Sequence, residues 1–255
     1  MSKSNYITGL RAVEQLLATD STDVRRIYAE YQSANPRVEA VIKAAQKDGI
    51  EIQPANRARL TQMSGEARHQ GVIAEVTRST QMDEAALRTM VETRLSAAEP
   101  TPLLLLVLDG VQDPHNLGAC MRTADAAGVD AVVVPRHAAA SLGPTVSKVA
   151  AGAAEQLPFA TVGNLNRVLS WLADYGVRAI GTSDKADSGL FEADLSGSIA
   201  LVMGREHTGL SQSISSRCET LVSLPMVGVV SSLNVSVATG VCLYEIVRQR
   251  ALHRP

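Results

Sequence analysis

From residue 103 onward the sequence alternates short apolar runs with longer segments of helical periodicity, and this alternation restricts the fold most. The first run, 103–108, is apolar at every position, as expected for a strand buried on both faces of a parallel sheet. Further strands are predicted at 131–134, 177–181, 199–203 and 221–224. Helices are predicted at 116–128, 144–154, 165–175, 210–217 and 234–250. This order predicts an α/β domain built on a parallel sheet.

The first part of the chain is typical of a smaller α/β unit. A helix that Thr8 caps and that carries Leu10 is predicted first, followed by helices from Pro36 and over 56–63. Strands are predicted at 24–29, 50–53 and 72–76. A polar stretch follows, which contains one helical pattern at 83–95 and closes with one proline on each side of Thr101. The sequence therefore predicts a domain at 1–76, a linker at 77–100 and a second domain at 101–255.

The composition excludes several classes of protein. Of the 255 residues 45% are hydrophobic and 20% are charged, so the chain can bury a core and is not disordered. The apolar runs are too short to cross a membrane, and the first residues lack the apolar stretch of a secretory leader. The three cysteines are far apart, which disfavours disulfides and zinc and favours a reducing compartment. We therefore expect a cytoplasmic protein.

Charge is distributed unevenly along the chain. The net charge is −2, but residues 1–80 carry eleven Lys and Arg against nine Asp and Glu. Arg57, Arg59, Arg68 and Arg78 lie close together in this segment, and guanidinium groups suit phosphates. The segment is either a surface that recruits RNA or an ordinary solvated charged face.

Well-known catalytic and nucleotide-binding signatures are absent from the sequence. No GxGxxG, GxxxxGK[ST], HExxH or GxSxG pattern is present, and the five histidines show no metal-ligand spacing. In an open α/β sheet, ligands bind beyond the carboxyl ends of the strands. The segments that follow the predicted strands are therefore the places to look for a site.

Three such segments contain polar residues and glycines, and each has an ordinary interpretation as well. After the first strand, Asn116 is either a site residue or the N-cap of a helix, and Arg122 is either a site residue or a surface side chain. Gly204, which closes the strand at 199–203, either admits a ligand to the backbone or begins an ordinary turn. After the last strand, Ser232 either binds a ligand or caps the final helix, and Asn234 either binds a ligand or satisfies a loop carbonyl.

Taken together and in order, the three segments resemble the three motifs of the SpoU–TrmH family of RNA ribose 2′-O-methyltransferases in the SPOUT superfamily. The residues that carry the resemblance are NLGACMRTADAAG, LVMGREHTGL and LPMVGVVSSLNVSVATG. The third motif and the N-terminal YITGLRAVEQLL are most similar to the branch that methylates a guanosine of large-subunit ribosomal RNA. One departure is His207, at a position where a small residue is expected.

The resemblance implies a fold and a cofactor. The fold is a knotted (trefoil) SPOUT methyltransferase domain with a parallel sheet, preceded by a small α/β domain like ribosomal protein L30 that binds RNA. The cofactor is S-adenosyl-L-methionine, held in the knot. The implied cofactor-binding residues are Gly204, Leu224, Leu233, Met226, Gly181 and Thr182.

The resemblance also implies catalytic residues, which are Arg122, Asn116, Glu206, Asn234 and Ser232. Arg122 would lie at the acceptor ribose and its phosphate. Because an arginine with a pKa above about 12 is a difficult base, we expect it to orient the substrate, with an RNA phosphate or Glu206 as the proton acceptor. No metal is expected.

The expected partners are 23S ribosomal RNA and a second copy of the chain, paired through the catalytic domain, with no membrane. The final helix is apolar around more than one face, which is consistent either with that pairing or with burial inside one large core. Two other functions remain open, namely methylation of a transfer RNA and non-catalytic binding of ribosomal RNA on the same fold. A hydrolase or dehydrogenase is disfavoured by the missing signatures.

Overall fold

The computed structural model describes residues 5–19, 21, 24–30, 33, 35–65, 69–76, 80–99, 101–137, 139–205 and 208–252. The chain forms two compact units, Met1–Thr80 and Gln81–Pro255. Within the described residues, no helix combines the length and apolar character needed to cross a membrane.

The smaller unit is a four-stranded sheet with helices on both faces, and its strand order is β1-β4-β2-β3. Its elements are β1 (Asn5–Thr8), α1 (Leu10–Thr19), β2 (Val24–Glu30), α2 (Pro36–Lys47), β3 (Glu51–Ala55), α3 (Arg57–Ser64) and β4 (Val72–Val76). Strands β2 and β3 are parallel, whereas β4 runs antiparallel to β1 and β2. Helices α1 and α2 contribute to one apolar cluster and α3 to a smaller second one.

His69 holds the turn before β4 in the smaller unit. Its side chain is 1% exposed, its Nδ1 accepts from the Gly71 amide at 3.1 Å and its Nε2 lies 3.3 Å from Thr61 Oγ1. An Nδ1 that accepts requires the neutral imidazole, and burial lowers the pKa of His69 accordingly. This histidine therefore has a structural role in the unit.

The larger unit contains an eight-stranded sheet in the order β10-β12-β9-β11-β6-β7-β8-β5. Every neighbouring pair is parallel, which confirms the predicted sheet type. Its strands are β5 (Gln81–Met82), β6 (Leu104–Leu108), β7 (Ala131–Pro135), β8 (Phe159–Val162), β9 (Arg178–Thr182), β10 (Ser188–Gly189), β11 (Ile199–Met203) and β12 (Thr220–Ser223). Its helices are α4 (Glu84–Leu95), α5 (Pro114–Ala126), α6 (Pro144–Ala150), α7 (Leu165–Asp174), α8 (Gln212–Ser215) and α9 (Val235–Leu252), with a short 3-10 helix at Ala153–Glu155.

Two apolar clusters cover the two faces of this sheet, and β6 explains why both exist. Leu104, Leu106 and Leu108 belong to the cluster that also contains residues of α5, α6 and α9. The alternate residues of the same run, from Leu103 to Val107, belong to the cluster that contains residues of α4 and α7. Because successive side chains of a strand point to opposite faces, only a continuous apolar run fits this position.

Trp171 of α7 lies at the edge of the second cluster. Its side chain is 7% exposed and meets the Tyr175 ring edge-on at a centroid distance of 6.0 Å. The guanidinium of Arg88 in α4 lies 5.8 Å from the Trp171 ring and 5.6 Å from the Tyr175 ring. This contact joins α4 to α7.

The segment predicted as a linker, 77–100, belongs largely to the larger unit. Strand β5 pairs with β8, and α4 buries Leu87 and Val91 completely. These two residues lie four apart and so share one helix face, while Asp83 caps the helix by accepting from the Ala86 amide. The prediction missed this packing because the other faces of α4 are polar.

The C-terminal end of the final helix is anchored near the starts of strands β6 and β11. The guanidinium of Arg250 donates to the carbonyls of Pro102, Leu103 and Gly197. Earlier in α9, Thr239 Oγ1 lies 3.6 Å from Cys120 Sγ of α5. The helix therefore spans the face of the sheet between these two points.

Candidate active site

Strands β6, β9, β11 and β12 are parallel, so the loops that follow them emerge at one edge of the sheet. Asp109, the first residue after β6, ties two of these loops together. Its amide donates to the Met203 carbonyl at 2.8 Å, and its Oδ2 accepts from the Ser211 amide at 3.1 Å. The side chain is 7% exposed, so this carboxylate is a buried support of the edge.

Helix α5 begins at Pro114 and is capped by Asp113, whose Oδ1 accepts from the His115 amide at 2.9 Å. The prediction of a helix starting at Asn116, with Asn116 as its cap, is therefore wrong. The physical reason is that Asp followed by Pro is the stronger start signal, because proline at the first helical position needs no amide partner. Asn116 lies inside the first turn.

The structure brings Asn116 and Asn234 together. Asn234 Nδ2 donates to Asn116 Oδ1 at 3.0 Å, and Asn116 Nδ2 donates to Asp113 Oδ2 at 3.3 Å. Asn234 Oδ1 also accepts from the amide of Ser236 at 2.9 Å and from its hydroxyl at 2.6 Å, which caps α9. The first and third sequence motifs thus meet through one side-chain hydrogen bond.

Arg122 lies six residues beyond Asn116 on the same helix. At about 100° and 1.5 Å per residue, the two side chains are about 120° and 9 Å apart. Arg122 is exposed, and no hydrogen bond or ion pair to it occurs within the described residues. The structure therefore leaves its guanidinium available but does not join it to Asn116 or Asn234.

Two more predicted catalytic residues make no contact that can be described. Ser232 is exposed and forms no hydrogen bond within the part of the chain that the structure covers. Glu206 lies outside the described residues, together with His207.

The second motif folds tightly onto itself after β11. The amides of Arg205 and Gly209 each donate to the other residue's carbonyl at 3.0 Å. A Cβ on Gly204 would lie 2.2 Å from the carbonyl carbon of Gly209 and 2.3 Å from the Leu210 amide nitrogen. Glycine is therefore required here by the chain's own backbone, which agrees with the turn that the sequence left open beside the approach of a ligand.

Gly181 and Thr182 end the neighbouring strand β9. A Cβ on Gly181 would lie 2.7 Å from Cys218 Sγ and 2.8 Å from Leu210 Cδ1, so this glycine makes room for packing. Thr182 is half-buried, and its hydroxyl lies 3.5 Å from the Val202 carbonyl. Burial, reinforced by the charge of Asp109, raises the pKa of Cys218 to about 12, which argues against a thiolate nucleophile at this edge.

The loop at 224–233 presents both apolar side chains and unpaired backbone groups. Leu224 and Met226 are half-buried and Leu233 is 37% exposed, while Val227 and Val229 are fully exposed. All residues of this loop are described, and none forms a backbone hydrogen bond to another part of the described chain. An adenosine group needs apolar walls and backbone donors and acceptors, so this loop fits S-adenosylmethionine.

The smaller unit has its own cluster of arginine and tyrosine side chains. The guanidinium groups of Arg26 and Arg59 lie 5.9 Å and 5.8 Å from the centre of the Tyr28 ring, and the Tyr28 hydroxyl donates to the buried Glu75 carboxylate. Of the four arginines singled out in the sequence, Arg57 and Arg59 begin α3, and two others, at 68 and 78, lie outside the described residues. Among the described side chains no group of His, Cys, Asp and Glu is arranged to hold a metal ion.

Comparison with known proteins agrees with this layout. Residues 103–244 match the model of the SpoU rRNA Methylase family, and residues 6–82 match the model described as RNA 2′-O ribose methyltransferase substrate binding. Two relatives bear the name 23S rRNA (guanosine-2′-O-)-methyltransferase RlmB. The one from Ralstonia nicotianae is 47% identical over 99% of this chain and 98% of its own length, and that from Coxiella burnetii is 42% identical over both full lengths.

Solved structures show the same relationship. The SpoU methyltransferase AviRb from Streptomyces viridochromogenes, in complex with AdoMet, has a TM-score of 0.74 at 25% identity and covers 99% of this chain and 92% of its own. An AdoMet-bound rRNA methyltransferase from Sinorhizobium meliloti has a TM-score of 0.70 at 25% identity and covers 96% of this chain and 87% of its own. The match to the SpoU rRNA Methylase model covers more than half of this chain, so the chain belongs to the SpoU rRNA methylase family.

Proposed function

We propose that this protein transfers a methyl group from S-adenosyl-L-methionine to the ribose 2′-hydroxyl of a guanosine in 23S ribosomal RNA, in the cytoplasm. The observation that carries the proposal is the match, over nearly the full length of both chains, to relatives named for that reaction. Two neighbours named for transfer RNA cover only 66% and 60% of this chain. Ribosomal RNA is therefore favoured over transfer RNA as the substrate.

The cofactor site is proposed at the edge formed by Gly181, Thr182, Gly204 and the 224–233 loop. Leu224, Met226 and Leu233 would contact the apolar parts of the cofactor, and the free backbone groups of the loop would bind its adenine. When bound, the cofactor supplies a methyl group carried on a positively charged sulfur. The family relationship further implies that these loops form a trefoil knot, and the return of α9 to α5 is compatible with such threading.

The protein's own residues must place a weakly nucleophilic hydroxyl and accept its proton. Placement alone is worth about 7–11 kcal/mol in well-oriented reactions. Arg122, which is exposed and unpaired within the described chain, would bind the ribose and its phosphate. As oxygen gains the methyl group, the hydroxyl proton would pass to an RNA phosphate oxygen or to Glu206.

Asn116, Asn234 and Ser232 would fix the geometry around this centre. The hydrogen bond between the two asparagines holds the first turn of α5 against the start of α9. A ribose bound there would meet amide groups whose orientation is set by Asp113 and Ser236. Such a framework costs little reorganisation when the substrate arrives.

RNA recruitment is proposed for the smaller unit. It matches the substrate-binding family model over residues 6–82 and carries the net-positive part of the chain. Deleting it should weaken RNA affinity and reduce the salt dependence of binding, while the affinity for S-adenosylmethionine is retained. Unchanged RNA affinity in the truncated protein would refute this role.

A homodimer is proposed through the exposed face of α9. Val237 and Tyr244 are 53% and 52% exposed and lie seven residues apart, with half-buried Val241 between them on the same face. Leu243 is fully buried in its own unit, so a charge there would test folding and not pairing. Exposed apolar stripes of this kind commonly mark interaction surfaces.

The test of the proposed reaction is transfer of a labelled methyl group from S-adenosylmethionine to unmodified 23S ribosomal RNA and to transfer RNA, followed by mapping of the modified nucleotide. We expect one 2′-O-methylguanosine in the ribosomal RNA. Methylation of transfer RNA alone would move the activity to another substrate. RNA binding without transfer to either substrate would favour the non-catalytic role.

A further inference from the structure

Arg205 lies two residues beyond the end of β11, and both its backbone and its side chain are held in place. Its amide and carbonyl are both bonded to Gly209 at 3.0 Å. Its stem lies across Gly110, where a Cβ would be 2.4 Å from Arg205 Nε and 3.0 Å from Arg205 Cγ. Gly110 has a φ of +88°, which favours glycine, and its missing side chain makes room for the arginine.

The guanidinium of Arg205 has no partner among the residues that the structure describes. The side chain is exposed, and within the described residues no carboxylate or carbonyl reaches it. Six of the nine other described arginines of the larger unit differ in this respect. Five pair with acids, namely Arg88, Arg94, Arg167, Arg178 and Arg248, and Arg250 donates to carbonyls. A positioned and unpaired guanidinium beside the loop that leads into α5 is arranged to bind an oxyanion.

We infer that Arg205 binds a backbone phosphate of the RNA next to the target ribose and so positions the substrate for methyl transfer. This inference rests on the proposed function. Gly110 lies in the loop between β6 and α5, the helix that holds Asn116, and Arg205 follows the parallel strand β11, so both lie at the same edge of the sheet. The chain carries a net charge of −2, so local cations must supply the attraction for phosphates at this edge.

The cofactor also carries an oxyanion, the carboxylate of its methionine part, and the two targets can be separated. A contact to RNA phosphate changes RNA binding and its salt dependence but leaves the affinity for S-adenosylmethionine alone. A contact to the cofactor carboxylate has the opposite pattern. We choose RNA because the stem of Arg205 lies over Gly110, in the loop that leads into α5, the helix that carries Asn116 and Arg122.

The test compares Arg205→Met, Arg205→Lys and a matched control, Arg217→Met, in the full-length protein. Met keeps most of the apolar stem that packs on Gly110 and removes the charge, whereas Lys keeps the charge. Arg217 is also exposed and has no side-chain partner within the described chain, but it lies between α8 and β12 and so precedes a strand instead of following the end of one. For each variant we would measure kcat and KM with a 23S fragment, RNA affinity at several salt concentrations, and affinity for S-adenosylmethionine by calorimetry.

For Arg205→Met we expect KM for RNA to rise about ten- to a hundredfold, which is the loss of one charged hydrogen bond. The slope of log affinity against log salt should fall by about 0.7, the value for one phosphate contact in single-stranded RNA. Arg205→Lys should keep the slope, and Arg217→Met should behave as wild type. An unchanged slope in Arg205→Met, or a loss confined to cofactor affinity, would overturn the inference. If the wild-type protein itself fails to methylate ribosomal RNA, the proposed function is at fault instead.

Discussion

Replacing Gly204 by Ala tests how tightly the second motif is packed. The new Cβ would lie 2.2 Å from a backbone carbon of Gly209, and no side-chain rotation can relieve that contact. To restore a separation of 3.4 Å, the loop must move by about 1.2 Å, which breaks the paired hydrogen bonds between Arg205 and Gly209. At about 1 kcal/mol for each bond and about 1–3 kcal/mol for overpacking, partly offset by solvation of the freed groups, the free energy of unfolding should fall by about 2–4 kcal/mol.

The same displacement moves the edge at which the cofactor is proposed to bind, so methyl transfer should fall by about a hundredfold. Thermal unfolding by calorimetry and a methyl-transfer assay measure the two effects. Gly163→Ala is the matched control, because a Cβ there meets nothing closer than an Arg167 nitrogen at 3.9 Å. A Gly204→Ala protein with wild-type stability and activity would show that the loop is not packed as described.

Four further outcomes are expected. The Arg122→Ala variant should keep the melting temperature and the cofactor affinity of the wild type, because the Arg122 side chain has no described partner. Its kcat/KM should fall at least about a hundredfold. Near-normal turnover would show that Arg122 is only a surface residue. Asn234→Asp keeps the oxygen that caps α9 but removes the amide group that donates to Asn116. Turnover should therefore fall at least about tenfold with little change in stability. Wild-type turnover in this variant would contradict the role of the amide. In sedimentation, the wild-type protein should have twice the 27.0 kDa mass of one chain, and the double variant Val237→Glu, Tyr244→Glu should be a monomer. A wild-type protein that is monomeric and active would exclude the dimer. Burial lowers the pKa of His69 in the folded protein below that of the unfolded chain, so the unfolded state binds more protons as the pH falls. The free energy of unfolding in urea should therefore be lower at pH 5 than at pH 7.5, and His69→Gln should show a smaller loss.

The central strands of the larger unit were predictable because burial on both faces leaves a continuous apolar run. The edge strands were not, since β5 and β10 have two residues each and carry no pattern. Strand β8 was missed because Phe159 to Val162 is short and includes an alanine, which is depleted in strands. The helical pattern of α4 was recognised, but its docking on the sheet depends on the fit of Leu87 and Val91, which periodicity alone does not reveal.

The site was predicted in outline, from the rule that ligands bind beyond strand ends, and in detail only through the family resemblance. Asp109 and Asp113 were overlooked, although Asp113 before Pro114 is a recognisable helix start and Asp109 directly follows a buried strand. The reason for Gly204 was also beyond sequence reasoning. A glycine required by a neighbouring backbone and a glycine required by a ligand look the same in a sequence, and only the 2.2 Å distance to Gly209 separates them.

The position of Trp171 makes the two units distinguishable by fluorescence. It is the single tryptophan of the chain, and it is almost fully buried between α4 and α7 of the larger unit. Its emission should therefore shift to longer wavelength only when that unit opens, while far-ultraviolet circular dichroism follows both units. If the two signals fall at different urea concentrations, the smaller unit unfolds separately, and adding S-adenosylmethionine should then delay the fluorescence transition alone.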